Sequence, residues 1–92
     1  MENIQLQKIS SNLQKAFLKL ETPKQVFNFL RDLLTQDEII EFSQRLDIAT
    51  RLNNWQNYKK IEEDIWASST TIARVAKFLK GEWGGYQKVL KH

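Results

Sequence analysis

Residues 58–79 decide the fold of this chain, and they read YKKIEEDIWASSTTIARVAKFL. Apolar residues recur at helical spacing on both sides of a short break, at Ile61, Ile65, Ile72, Val75 and Leu79. The break carries hydroxyl residues at 68–71, which suit the start of a second helix. The pattern is typical of a helix-turn-helix over about residues 57–80, whose second helix enters the DNA major groove.

The outer face of the second helix supplies the candidate DNA contacts. If the apolar residues face inward, small polar and basic residues face outward. Arginine can read guanine bidentately, and lysine suits phosphate, which adds affinity without sequence information. The alternative is a plain helical hairpin whose hydroxyls serve only as caps. The predicted DNA-binding residues are Lys59, Ser68, Ser69, Thr70, Ala73, Arg74 and Lys77.

Composition predicts a small all-α domain over residues 1–92. The chain has three glycines, one proline and no alternating β-branched runs, which favours helices over sheet. No apolar run approaches the ~20 residues that span a bilayer, and the amphipathic N-terminus does not resemble a secretory signal. Because cysteine is absent, a Cys-based zinc site is excluded and a reducing cytoplasm is expected.

Charge is unevenly distributed along the chain. The net charge is only +3, yet the last third is basic, as phosphate contact requires. A solvated helix face is the alternative explanation for these lysines. After Ile65 the basic residues Arg74, Lys77, Lys80, Lys88 and Lys91 stand against Glu82 alone.

The first 34 residues predict two helices. Apolar residues three or four apart predict one amphipathic helix from Ile4 to Leu20. Thr22 then caps a second helix, with Pro23 at its first position, where the missing N–H is harmless. Apolar side chains surround much of this second helix, more than one small chain can cover, and we interpret it as buried at a dimer interface. These side chains are Val26, Phe27, Phe29, Leu30, Leu33 and Leu34.

Thr35 begins a capping box, because Thr35 can accept from the backbone three residues on while Glu38 reaches back. A third helix is therefore predicted from Thr35 to about residues 53–54. A short helix or a tail over 86–90 is expected after the glycines at 81 and 84–85.

The tryptophans, and Trp66 above all, do not match the usual helix-turn-helix pattern. Trp66 occupies the turn position where a helix-turn-helix usually has glycine in a left-handed conformation. Either the turn is remodelled or Trp66 packs over the hairpin. The three tryptophans, Trp55, Trp66 and Trp83, are expected in the core or at an interface.

The order of segments resembles the Trp-repressor-like family, and in particular its YerC/YecD-like branch. The resemblance covers about residues 24–90, and Ala-Ser-x-x-Thr-Ile-x-Arg-Val is its most specific part. It implies an all-helical bundle, an intertwined homodimer and a DNA-binding transcriptional regulator. The matching runs are LLTQDE at 33–38, QR at 44–45, IEE at 61–63, ASSTTIARV at 67–75 and GGY at 84–86.

The resemblance also implies a candidate effector pocket formed by Thr35, Arg45 and Arg74. In the tryptophan-sensing repressor, arginines at the positions of Arg45 and Arg74 hold the amino acid. The residue after the second arginine is glycine there and Val75 here, where a branched side chain intrudes on the ligand space. Tryptophan binding is therefore not expected, and any other effector is unknown. For Arg45 an ion pair with a carboxylate such as Asp37 or Glu41 is the favoured interpretation.

An enzyme is not expected. The only histidine is His92, so neither a histidine-based triad nor a histidine metal site can be built, and no cofactor is implied. The favoured function is a sequence-specific transcriptional regulator that binds double-stranded DNA as a homodimer. The alternative is a small helical adaptor that binds a partner protein and no DNA.

Overall fold

A computed structural model describes residues 2–91 of the chain. These residues form seven α-helices and no strand: α1 (Asn3–Ile9), α2 (Ser11–Phe17), α3 (Pro23–Leu33), α4 (Gln36–Asn53), α5 (Tyr58–Ile65), α6 (Ser69–Leu79) and α7 (Gly85–Leu90). The chain divides between Gln36 and Asp37 into two compact units. The predicted all-α class is confirmed, while the assignment of residues 1–92 to a single domain stays a prediction. Among residues 2–91, no helix is long and apolar enough to cross a bilayer.

The first unit begins with two short helices where one was predicted. Ser10 interrupts the helix with φ −88° and ψ 5°. Its hydroxyl donates to the carbonyl oxygen of Leu6 at 2.9 Å, and the Gln14 side-chain amide donates to the hydroxyl at 2.9 Å. Serine competes for backbone partners in this way and so favours breaks. The predicted continuous helix over residues 4–20 is wrong, and neither α1 nor α2 has the predicted buried face.

The start of α3 confirms its predicted cap. The Thr22 hydroxyl accepts from the backbone N–H of Gln25 at 3.2 Å, and Pro23 occupies the first turn. The helix ends at Leu33 because Leu34 is extended, with φ −117° and ψ 155°. Within the first unit, the rings of Phe17 and Phe29 meet edge to face at 5.4 Å.

The third predicted helix is confirmed as α4, which begins directly after Thr35. Asp37 and Glu38 lie in its first turn, where negative charge complements the helix dipole. Further along α4, Ile48 and Ala49 are completely buried.

The second unit has a small apolar core at the crossing of α4, α5 and α6. Ile48 and Ala49 from α4 meet Ile61 from α5 and Ile72 and Val75 from α6. Partly buried side chains surround this cluster: Leu52, Ile65, Ala67, Tyr86 and Leu90. The core therefore fixes α5 and α6 on the long helix and ties α7 to them.

Side-chain hydrogen bonds cap the N-terminal ends of α5 and α6. The Asn57 side chain accepts from the N–H of Lys60 at 2.8 Å, and the Ser68 hydroxyl accepts from the N–H of Thr71 at 3.2 Å. Ser68 is therefore the cap of α6. After α6, Gly84 turns the chain into α7 with φ 71°, a conformation that suits glycine.

The tryptophans lie outside the core of the chain. Trp66 follows α5 in the left-handed region, with φ 61° and ψ 29°, and 90% of it is exposed. Both alternatives predicted for it are wrong, because the turn keeps the left-handed residue and the indole does not cover the hairpin. Trp55 is similar, with φ 66° and 94% exposure, and Trp83 is also exposed. Burial in the core is thus wrong for all three, whereas a place at an interface stays a prediction.

An ion pair joins α4 to α5. Nη1 of Arg51 lies 2.7 Å from Oδ2 of Asp64, and Nζ of Lys60 lies 3.5 Å from the other carboxylate oxygen. The hydrogen bond from Arg51, helped by the charge of Lys60, holds the pKa of Asp64 below its usual range. The pair therefore stabilises the fold above the ordinary pKa of about 3.9, and this contribution is lost as the pH falls through the lowered pKa.

We expect Asp64→Asn to lower the free energy of unfolding at pH 7, and the loss to shrink as the pH falls through the lowered pKa of wild-type Asp64. Urea unfolding over a series of pH values below 7 measures the difference. Glu63→Gln is the matched control, since it removes a charge from the same helix without removing an ion pair between described residues. A difference that does not shrink as the pH falls would contradict the ion-pair explanation.

Candidate nucleic-acid interface

The helix pair α5 and α6 has the geometry that the sequence predicted for a helix-turn-helix. Three residues, Trp66, Ala67 and Ser68, separate the two helices. The N–H of Trp66 donates to the carbonyl oxygen of Glu62 at 3.0 Å and closes the end of α5. With Ile61 packed against the buried side of α6, the hairpin presents the opposite side of α6 to solvent.

All predicted DNA contacts lie at the surface. Lys59 is in the first turn of α5, Ser68 caps α6 and the others lie on α6 itself. The exposed set comprises Lys59, Ser68, Ser69, Thr70, Ala73, Arg74 and Lys77. These side chains differ, however, in whether they already make contacts within the chain.

The hydroxyls at the start of α6 divide into two kinds. The Ser68 hydroxyl accepts from the Thr71 backbone and lies 3.0 Å from the Thr71 hydroxyl, so it is committed to the cap. The hydroxyls of Ser69 and Thr70 make no hydrogen bond to any residue within 2–91. Ser69 and Thr70 are therefore available to an outside partner.

The two basic residues of α6 both lie beside Phe78. The guanidinium carbon of Arg74 is 4.9 Å from the centre of the Phe78 ring, and Nζ of Lys77 is 5.9 Å from it. Both distances fall within the range of cation–π attraction. The ring thus holds the two cations on one part of the helix surface.

Arg74 also lines a cavity of about 580 Å³ within the second unit. The wall is formed by Arg45, Leu46, Arg74, Val75, Phe78, Trp83, Gly85, Tyr86 and Val89. The structure therefore brings together two of the three predicted effector-pocket residues, Arg45 and Arg74. The third, Thr35, belongs to the other compact unit.

Arg45 is already paired. Its Nη2 donates to Oε1 of Glu41 at 2.7 Å, which confirms the predicted ion pair and identifies Glu41 as the partner. Its guanidinium also lies 5.7 Å from the centre of the Phe42 ring. Its Nε is buried without a hydrogen-bond partner. Arg45 therefore lines the cavity with a buried donor that has no partner within the described chain.

Sequence reasoning missed the aromatic wall of this cavity. Phe78, Trp83 and Tyr86 line it, and none of them was predicted as a site residue. A signal existed, since residues 75, 78, 86 and 89 would share one face of a continuous helix. The break at residues 80–84 hides that periodicity.

Across residues 2–91, no group of histidine and carboxylate side chains is placed to hold a metal ion. His92, the only histidine, lies outside the described residues.

The second unit thus combines a helix-turn-helix with a basic-aromatic cavity beside its second helix. The sequence model of the Trp repressor protein family matches residues 8–92. The chain therefore belongs to the Trp repressor family.

Three known proteins resemble the chain in sequence, and two of them also resemble it in fold. The uncharacterised protein YerC of Bacillus subtilis is 35% identical over 78 residues, which cover 85% of this chain and 75% of YerC. A crystal structure provisionally assigned as a Trp repressor from Staphylococcus aureus is 33% identical, with a TM-score of 0.88 over 98% of this chain and 91% of that one. A TrpR-like protein from Eubacterium eligens is 32% identical, with a TM-score of 0.86 over 91% and 87%. The predicted Trp-repressor-like fold is confirmed.

We expect free L-tryptophan not to bind tightly. Val75 forms part of the cavity wall, and the guanidinium of Arg45 already serves Glu41. Isothermal titration calorimetry should detect no micromolar binding to the wild-type chain. Arg45→Ala, which removes the guanidinium from the cavity wall, is the matched control and should give the same baseline. Micromolar affinity that Arg45→Ala abolishes would contradict this prediction.

Proposed function

We propose that this chain is a sequence-specific transcriptional regulator that binds double-stranded DNA as a homodimer. The observation that carries the proposal is the exposed side of α6, held by the buried contact of α6 with α5 and α4. Membership of the Trp repressor family supports it. The proteins from Staphylococcus aureus and Eubacterium eligens are likewise described as related to Trp repressors.

In the proposed complex, the start of α6 lies in the major groove and its residues divide the work. The hydroxyls of Ser69 and Thr70 can bond to base edges or phosphates, and Ala73 is small enough to let the helix approach closely. Arg74 is the candidate for base recognition, and Lys77 contacts phosphate. The Ser68 hydroxyl acts mainly by fixing the helix start, and Lys59 contacts phosphate from α5.

A homodimer would cover apolar surface that the single chain leaves open. Exposed large apolar side chains are concentrated in the first unit and in the first half of α4. Such surface is unusual on a soluble monomer and is typical of an interface. The most exposed of these side chains are Ile4, Leu6, Ile9, Leu18 and Phe27.

The cavity beside α6 is the proposed place for any effector. Because Arg74 lines both the cavity and the outer side of α6, a ligand that draws Arg74 inward would change its reach toward DNA. Arg45 and Arg74, which line this cavity, are its proposed effector residues, while the role of Thr35 stays a prediction. The absence of cysteine and the family membership fit a cytoplasmic regulator that needs no cofactor and is not an enzyme.

Selection of bound duplexes from a random pool tests the proposal directly. A palindromic consensus with half-sites about one helical turn apart would support both the function and the two-fold symmetry. The competing function is a helical adaptor, favoured by the same exposed apolar side chains. Salt separates the two, because binding through phosphates weakens steeply as salt rises whereas binding through an apolar protein surface does not.

We expect the chain to sediment as a dimer at micromolar concentration, because its exposed apolar side chains need a partner surface. Phe27→Glu, which places a charge on an exposed apolar position of α3, should shift the equilibrium toward monomer. Lys24→Glu is the control, since it introduces the same side chain at a polar position of the same helix. A wild-type monomer with no concentration dependence would refute the dimer.

We expect Arg74→Ala and Lys77→Ala to weaken DNA binding in different ways. Arg74→Ala should cost about 1–3 kcal/mol on the selected site and relax discrimination there. Lys77→Ala should weaken selected and scrambled duplexes equally and lower the salt slope by about one unit. Binding curves at several salt concentrations measure both effects.

The control for this pair is Lys8→Ala, which removes one positive charge from α1 and should leave the affinity almost unchanged. If neither α6 variant differs from wild type, α6 is not the recognition helix and the adaptor function gains support.

A further inference from the structure

Trp66 combines two features that rarely occur together. Its backbone is left-handed at φ 61°, a conformation that glycine or asparagine adopts more easily, and 90% of the residue is exposed to solvent. Its indole makes no hydrogen bond or aromatic contact with any residue among 2–91. No polar or aromatic contact of the indole within the described chain therefore accounts for a large aromatic side chain in the turn.

The backbone of Trp66 is nevertheless firmly placed. Its N–H is bonded to Glu62 at the end of α5, and the cap formed by Ser68 and Thr71 follows two residues later. The turn thus fixes the backbone of Trp66 two residues ahead of Ser68, the cap of α6. Helix-turn-helix proteins direct the first residues of the second helix into the major groove. A side chain that stands immediately before this helix lies where the sugar–phosphate backbone borders the groove.

Trp55 supplies an internal comparison. It has nearly the same φ, 66°, and nearly the same exposure, 94%. It lies, however, beside Leu79 and Lys80, at the opposite end of α6 from Trp66. The two tryptophans therefore share strain and exposure but differ in which end of the recognition helix they accompany.

The chemistry around Trp66 suits a neutral contact with the DNA backbone. The charge of Asp64 is already offset by Arg51 and Lys60. Glu62 and Glu63 in the last turn of α5 would attract a lysine or arginine placed at this position and compete with phosphate. The indole instead offers one N–H donor for a phosphate oxygen and an apolar ring for the deoxyribose, without a positive charge.

We propose that Trp66 is a DNA-contacting residue whose indole packs on the sugar–phosphate backbone at the edge of the major groove. This assignment rests on the proposed DNA-binding function. It identifies a contact that fixes the position of α6 without reading bases, and it accounts for a tryptophan where glycine would be less strained.

The test compares Trp66→Asn with Trp55→Asn in the full chain, because asparagine tolerates the left-handed conformation but lacks the ring. Both variants should melt at the wild-type temperature or a few degrees higher, because each relieves similar strain. Trp66→Asn should weaken DNA binding about tenfold, the effect of losing about 55 Å² of buried apolar contact. The loss should be equal on selected and scrambled duplexes, since backbone contacts carry no sequence information. Trp55→Asn should bind like wild type.

A second measurement observes the indole directly. In the double variant Trp55→Phe/Trp83→Phe, Trp66 is the remaining tryptophan. Saturating duplex should protect its fluorescence from acrylamide quenching. Unchanged quenching would overturn the proposal even if substitutions at Trp66 proved unstable.

The outcomes separate this proposal from the function on which it rests. If the wild-type chain binds no duplex, the proposed function fails and the Trp66 contact fails with it. If the wild-type chain binds DNA and Trp66→Asn binds within twofold of it, only the Trp66 contact is overturned. A variant that loses self-association in sedimentation, with DNA affinity falling only in proportion, would instead place Trp66 at the interface between two copies.

Discussion

The buried contact between Ile61 of α5 and Ile72 and Val75 of α6 is the constraint on which the candidate DNA interface depends. These three side chains are at most 1% exposed, and they pack against Ile48 and Ala49 of α4. Because closely packed apolar side chains leave little freedom, the angle and register of α6 are set from its buried side. The hydroxyl and basic residues on the other side are thereby presented together.

The same packing places the candidate DNA interface and the cavity on adjoining sides of α6, which meet at Arg74. Val75 belongs to the core and also to the cavity wall, while its neighbour Arg74 lies at the surface and borders the cavity. Because Arg74 borders the cavity and lies on the 11-residue helix α6, a ligand that moves Arg74 would alter the exposed surface of this helix. This arrangement gives an effector, if one binds, a short physical route to DNA recognition.

The exposed apolar side chains and tryptophans show that the single chain leaves much of its apolar surface in contact with solvent. No residue of α1, α2 or α3 is fully buried, although these helices carry many large apolar side chains. Trp66 adds backbone strain to exposure. Proteins keep such features where a partner completes the structure, since exposed apolar area and strain both disfavour the isolated fold.

The sequence by itself determined helices α3 to α6, the cap at Thr22 and the amphipathic pattern of the helix-turn-helix. These features are local, because caps and apolar periodicity act within a few residues. Tertiary structure alone decided that Arg51 pairs with Asp64 and that aromatic side chains line a cavity beside Arg74. Tertiary structure also decided that Trp66 is exposed. Burial depends on how α4, α5 and α6 pack together, and this packing cannot be read from the spacing of residues along the chain.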